Sequence, residues 1–427
     1  MPDTKINYLE DRFDWVREQF TLLDHWNFFN VADQALPGQY WLKAVRQFYD
    51  FQEAGCTEAA MSKHDIATHP FLMEATFDTV ARSAKLIGAD KDETCLMYRP
   101  LQAANLICND ILPDIQPWKK GQNVVFTDIC YPSGPYVFMN LRDRYGIELR
   151  CVKNVNGEIL MEDLEKAIDE NTRLVNINRT TAFCGFTFNV KEICKMAHKY
   201  GAYVIDDACQ ALGVIDIDVH DDDLDFLTSC SYKWQNGPEG AGVFYAKKEI
   251  TEKANPIYRN YLAVEMPEGI PISLPNHDNI KSWNHPQRAE ISKFNQDVVI
   301  GPAVFGWQAS VKFIEKLGIK NIEKRVRMLG QYAVNGLKEI KGLEFKSPTE
   351  PNKMHGIITY STGSYDRDVK CWNKFMYPDL GIKPTKISIR SLGGVGGIRF
   401  STHYYNTTEE IDQYVAQQAE MLYKIKK

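Results

Sequence analysis

Between residues 94 and 250 the chain alternates short, near-continuous apolar runs with amphipathic stretches, and no other feature restricts its fold as much. The runs are CLMY (95–98), NVVFTD (123–128), IELRCV (147–152), RLVNIN (173–178), AYVIDD (202–207), DFLTSC (225–230) and GVFYA (242–246). Runs without polar alternation suit strands buried on both faces. The stretches between them carry helical periodicity. Leu160, Leu164 and Ile168 share one face, as do Val190, Ile193, Cys194 and Ala197, with Gly201 placed to end that helix. The alternation predicts an α/β fold, a mainly parallel seven-stranded sheet wrapped by helices.

After about residue 250 the texture changes. Residues 254–290 are rich in Pro, Asn and His and read as extended loops; a long helical pattern occupies roughly 300–340, and a final helix begins near Thr408. A chain of 427 residues exceeds one typical domain. The reading is a large α/β domain over 30–290, with 1–29 and 291–427 forming a smaller α+β domain.

Charged residues make up 25% of the chain and the net charge is −6, without a long Lys/Arg tract. This gives no electrostatic footprint for nucleic acid or an anionic membrane. The start, MPDTKINYLEDRFDW, lacks the basic and apolar regions of a signal peptide, and no apolar run approaches the ~20 residues of a membrane helix. The ten cysteines (56, 95, 108, 130, 151, 184, 194, 209, 230 and 371) are scattered without a CxxC pair. They read as buried thiols of a reduced, cytoplasmic protein rather than a disulfide framework.

The chemistry concentrates in AYVIDDACQALGVIDIDVHDDDLDFLTSCSYKWQNGPEGAGVFYAKK. Acids end one strand (Asp206, Asp207), Gln210 follows, and the next strand leads into Lys233 and a Gly-rich turn. Ligands of open α/β sheets bind outside the carboxyl ends of strands, so Asp207, Gln210 and Lys233 would converge on one crevice. A lysine buried there needs a partner or a depressed pKa, and such a lysine is a good Schiff-base nucleophile. A carboxylate nearby can keep a pyridine nitrogen protonated. On composition and spacing alone, a solvated lysine beside a Gly-Pro turn fits equally well.

This stretch resembles the fold-type I pyridoxal-phosphate (PLP) enzymes of the aminotransferase class V group, which includes kynureninases, isopenicillin-N epimerase and cysteine desulfurases. The resemblance rests on Asp207, Gln210 and Gly213, on Lys233 before Gly237-Pro238-Glu239-Gly240-Ala241-Gly242, and on GGIRFSTHYYNTTEEID near the C-terminus. It implies the aspartate-aminotransferase-like fold, PLP held on Lys233 as an aldimine, and a homodimer acting on an amino-acid substrate. Asp207 would pair with the pyridine nitrogen, Gln210 reach the ring hydroxyl, Tyr232 contact the phosphate and Arg399 grip the substrate carboxylate. In TCLMYRPLQAANLI, Leu101 and Gln102 would face the phosphate; in TDICYPSGPYVF, Tyr131 would stack on the ring; in NRTTAFCGF, Thr181 is the pocket candidate. Lys293 stands where the group carries a Thr toward the neighbouring subunit's phosphate. Arg390, in ISIRSLGG, reads equally as a ligand for a second carboxylate and as a surface strand residue.

The implied chemistry passes through a Cα carbanion, with Lys233 as the base. SYK before the Gly-rich turn tilts the reading toward a lyase cleaving at Cβ (C–S or C–C), with aminotransferase or epimerase as alternatives and a non-catalytic PLP-fold protein as the reading of another class. Desulfurases need a nucleophilic Cys shortly before the carboxylate Arg, and none lies between Cys371 and Arg399, so persulfide transfer is not expected. No metal is expected. The acidic run from Asp216 to Asp225 lacks the Gly and Glu positions of a calcium loop. No HExxH, Gly-x-Ser-x-Gly or early Gly-x-Gly-x-x-Gly is present.

Overall fold

A computed structural model describes residues 6–54, 70–257, 263–265, 286–295, 299–390 and 395–425. The first strand, β1 (Asn27–Phe28), precedes a seven-stranded sheet built from β2 (Thr94–Leu96), β3 (Asn123–Thr127), β4 (Glu148–Val152), β5 (Thr172–Ile177), β6 (Tyr203–Asp207), β7 (Phe226–Thr228) and β8 (Val243–Ala246). Each of the seven apolar runs thus contains one strand. Their spatial order is β2-β8-β7-β6-β5-β3-β4. All pairings are parallel except those of β8, which runs against both β7 and β2.

The strands lack polar alternation because both faces of this sheet are covered. Val124, Phe126, Leu174, Ile205 and Phe226 pack into one core; Val125, Val175, Val204 and Leu227 pack into the other. The helix Val190–His198 buries Val190, Ile193, Cys194 and Ala197 as expected, and Gly201 takes φ +72°. The helix Met161–Ala167 buries Leu164, but Leu160, just before it, is exposed.

The remaining strands are β9 (Glu344–Phe345), β10 (Ile357–Ser361), β11 (Thr385–Lys386), β12 (Ser388–Arg390) and β13 (Gly397–Ser401). Four of them form an antiparallel sheet in the order β12-β13-β10-β9, and β11 pairs in parallel with β1. A third core lies under this sheet, around Phe29, Tyr360, Phe400 and Tyr414. The long helical pattern resolves into two helices, Gly301–Leu317 and Ile319–Lys338, separated by Gly318 at φ +80°. The final helix is Thr408–Ile425. Most of the loop expected over 254–290 lies outside the described residues, as does Cys56.

The segment after β1 links the two sheets. Phe29 N donates to Lys386 O and Ser401 N to Phe29 O; farther on, Ala35 N donates to Tyr232 O, all at 2.9 Å. Among the described helices, none is long and apolar enough to cross a membrane.

Candidate active site

The carboxyl ends of β2, β3, β5, β6 and β7 open on one edge of the large sheet, around a cavity of about 370 Å³. That size lies within the roughly 300–1,000 Å³ typical of small-molecule sites. Its wall is made by residues at or just beyond those strand ends: Tyr98, Tyr131, Asn178 and Ala182, Asp207, Cys209 and Gln210, and Tyr232 with Lys233. The sequence folds this way because the strands stop where their two-sided apolar pattern stops.

Lys233 is 8% exposed. Its Nζ lies 5.4 Å from the Tyr131 ring centre and 5.8 Å from that of Tyr232. Burial alone would lower its pKa, but negative charge on Cys230, Cys209 or Asp207 opposes burial, and the net direction is upward. Of these groups, Asp207 is the carboxylate on the cavity wall. Asp207 is partly buried and its Oδ1 accepts from Cys209 N at 3.1 Å. Asp206, its neighbour, points away: it is fully buried and paired with Arg179 at 2.7 Å, which also bonds Asp222 at 2.6 Å. Of the two acids, only Asp207 faces the cavity.

Gln210 lines the floor with both ends of its amide engaged. Nε2 donates to Ala32 O at 2.9 Å, and Oε1 accepts from Trp234 Nε1 at 2.7 Å. Tyr131 is half exposed, its backbone N donating to Asn178 Oδ1 at 3.0 Å. Leu101 is exposed in the first turn of the helix Pro100–Leu106, at the cavity rim. The N–H groups of a helix's first turn favour an anion.

Arg399, on β13, is 2% exposed. Its Nε donates to Ser388 Oγ at 3.1 Å and NH1 to Ala182 O at 2.7 Å, while NH2 is buried without a hydrogen bond. The nearest carboxylate, Asp33, stands 3.8 Å from that nitrogen. Burial, then Arg390, pull the Arg399 pKa down to about 9, with Asp33 opposing. An arginine stays charged at neutral pH even so, and the shift expresses how poorly this cation is compensated.

Three expected residues lie elsewhere or are otherwise occupied. Thr181 is wholly buried, its hydroxyl against Cys184 Sγ and Phe186 N, both at 3.1 Å; Ala182 lines the cavity instead. Gln102 turns its Oε1 back to Tyr98 N at 3.2 Å, closing the turn before its helix rather than walling the cavity. Lys293 is buried and donates to Thr251 O at 2.6 Å within its own chain, with a pKa lowered by burial. Arg390 is neither free nor simply on the surface: its NH2 donates to Asp33 Oδ1 at 2.6 Å. The acidic run serves as ion-pair partners, Asp222 to Arg179, Asp221 to Lys191, and Asp223 with Asp225 to His198. Sequence reasoning missed Asn178, Ala182 and Asp33. Asn178 ends an apolar run and could have been found on that ground; Asp33 sits in no recognisable pattern.

These residues fit PLP. A buried lysine faces the cavity, a carboxylate stands on the wall, a tyrosine ring lies beside the lysine, and behind the wall residue Ala182 a buried guanidinium has one nitrogen without a hydrogen bond.

A family model described as aminotransferase class-V matches residues 39–414. A relative named probable cysteine desulfurase, from Pyrococcus abyssi, is 25% identical, with 94% of this chain and 95% of the relative covered. The apo structure of cysteine desulfurase from Thermococcus onnurineus NA1 superposes with a TM-score of 0.80 at 20% identity, covering 96% of this chain and 98% of that one. The cystine C–S lyase C-DES, in complex with its reaction product cysteine persulfide, gives a TM-score of 0.79 at 18% identity, covering 94% and 99%. Another C-DES structure, with glycine covalently linked to its PLP cofactor, gives 0.80 at 17% identity, covering 95% and 99%.

Proposed function

The chain belongs to the aminotransferase class-V family and is a PLP-dependent enzyme with the type I fold, and from this premise we propose that it is a lyase cleaving the Cβ–S bond of cysteine or a cysteine derivative. The observation that carries the reading is buried Lys233 in the cavity wall together with buried Arg399 behind it, whose NH1 bonds the carbonyl of the wall residue Ala182 and whose NH2 has no hydrogen bond. The relatives' names supply the sulfur amino acid.

PLP, when bound, supplies the electron sink that makes the Cα–H bond acidic. Arg399 takes the substrate α-carboxylate on its open edge, a charge-assisted contact. Asp207 would hold a proton on the pyridine nitrogen. Lys233 would anchor the cofactor, and its Nζ would take the Cα proton. Tyr131, Leu101, Gln210 and Tyr232 would help hold the cofactor in the cavity. The sulfur departs from Cβ, and water completes the conversion of cysteine to sulfide, pyruvate and ammonia.

Sulfur handed to an enzyme cysteine fits poorly. Cys371 is buried in the helix Tyr365–Met376, its Sγ 3.7 Å from Gln418 Nε2, and burial raises its pKa. No cysteine follows it in the chain. Cys209 lines the cavity, but its pKa too is raised well above the ordinary value by burial.

The reading includes a homodimer in the cytoplasm, checked by light scattering and fractionation. The reaction is checked with L-cysteine. Pyruvate with sulfide is expected; alanine in place of pyruvate would overturn the lyase reading. Borohydride reduction of the holoenzyme should leave a pyridoxyl adduct on the peptide containing Lys233, absent in Lys233→Ala.

A further inference from the structure

Arg390 and Arg399 share one carboxylate. Asp33 Oδ1 lies 2.6 Å from Arg390 NH2 and 3.8 Å from Arg399 NH2. The first distance is a tight ion pair and the second is too long for a hydrogen bond. The other Asp33 oxygen, Oδ2, accepts from Asn30 Nδ2 at 3.5 Å, so the carboxylate serves Arg390 rather than Arg399. Its side chain is 53% exposed, whereas Arg399 is sealed in. Burial would raise the Asp33 pKa, yet the two arginines together hold it below its ordinary value. Asp33 comes from the N-terminal segment that ties the two sheets. Ala32 beside it accepts from Gln210 Nε2 and donates to Ser401 Oγ at 3.1 Å, so the carboxylate's backbone is anchored from both sides.

We propose that Asp33 is a specificity-determining residue: by engaging Arg390, it leaves Arg399 as the one guanidinium edge open to substrate and restricts the site to amino acids with a single carboxylate. This rests on the reading that Arg399 binds the α-carboxylate. Two arginines grouped around one carboxylate would otherwise take a dicarboxylic amino acid, with the second carboxylate on Arg390. Asp33 opposes such a ligand twice. It occupies the donor the second carboxylate needs, and its own charge repels that carboxylate. Arg390 in turn keeps Asp33 from swinging onto Arg399, where it would compete with substrate.

The test uses the holoenzyme and two ligands that differ by one carboxylate, L-alanine and L-aspartate, with binding followed by the change in cofactor absorbance. Wild type should favour alanine. Asp33→Asn should shift the alanine-to-aspartate affinity ratio toward aspartate by about tenfold or more, the scale of one charge-assisted contact. The double variant Asp33→Asn with Arg390→Gln should lose that gain. Arg390→Gln alone should weaken alanine several-fold as Asp33 turns to Arg399, and adding Asp33→Asn should restore it. A merely structural role for Asp33 would lower both affinities together and leave the ratio unmoved.

An unchanged ratio in Asp33→Asn, or a gain that survives loss of Arg390, overturns the proposal. Should Asp33→Asn fail to fold, unchanged alanine binding in Arg390→Gln overturns it alone. Arg399→Lys separates the two levels: it should weaken both ligands. If alanine binding is untouched in Arg399→Lys, it is the Arg399 reading itself that fails.

Discussion

Two adjacent acids show how much a single residue's surroundings decide. Asp206 and Asp207 end the same strand, but one is paired with a buried arginine and the other faces a cavity. Asp206→Ala leaves Arg179 buried with one partner fewer, and should cost about 3–5 kcal/mol of stability. Asp207→Asn should leave the denaturation midpoint nearly unmoved while lowering turnover roughly a hundredfold or more. Urea titration and steady-state kinetics on the two variants check both, and similar profiles would refute the division. The sequence pointed to Asp207 and Lys233 as candidates because they follow strand ends, and to Arg399 because it sits in a long C-terminal motif; the fold brings Asp207 and Lys233 to one cavity and buries Arg399 near it. It misled at Thr181 and Gln102, whose hydroxyl and amide bond to nearby backbone, a local competition that spacing does not reveal. Asp33 was invisible because its meaning comes from two arginines more than 350 residues away in the chain.

At the scale of elements, most strands were readable because both faces of the sheet are covered, so their runs are nearly continuously apolar; the edge strand β4, with Glu148 exposed and Arg150 half-buried, is the exception. The break at Gly318 was not: the hydrophobic period continues through it, and only the positive φ divides the helices. Glycine matters more sharply at Gly213, in the turn after β6. It has φ +98°, and a Cβ there would meet Trp234 O at 2.7 Å. Gly213→Ala should cost about 1–3 kcal/mol in strain. Because Trp234 adjoins Lys233, the yield of borohydride adduct should fall with it. A variant with wild-type stability and full adduct would show that the turn has room to relax.

For the whole molecule, two histidines set the response to acid. His355 and His403 are fully buried, each with its pKa lowered to about 3, burial being the main cause. Unfolded, each titrates near 6.5. Between those values the unfolded chain binds protons that the native one refuses, so stability falls as pH drops below about 6.5. Each should cost about 2 kcal/mol by pH 5. His198 acts in the opposite sense. Hydrogen bonding to Asp225 first, then the charges of Asp225 and Asp223, raise its pKa, so its contribution is present below about 6.5 and fades as pH rises through the raised value. Urea midpoints from pH 5 to 8 should pass through a maximum near neutrality. His403→Gln should flatten the acid limb if it folds; a limb of unchanged slope would sink the assignment.

The pairing of β1 with β11, and of Phe29 with Ser401, also has a consequence in time. On the ribosome, residues 27–29 emerge early, and their partners follow only when the chain is nearly complete. At ~5–20 residues per second the wait is on the order of twenty to seventy seconds. Throughout it β1 and Phe29 have no strand to join. The large sheet can form meanwhile, and the Ala32 and Ala35 backbones can find Gln210 and Tyr232 in it, but Asp33 meets its arginines last. A nascent chain halted before β11 should therefore hold a protease-resistant large sheet and a cleavable N-terminus, with the site closing only as synthesis ends.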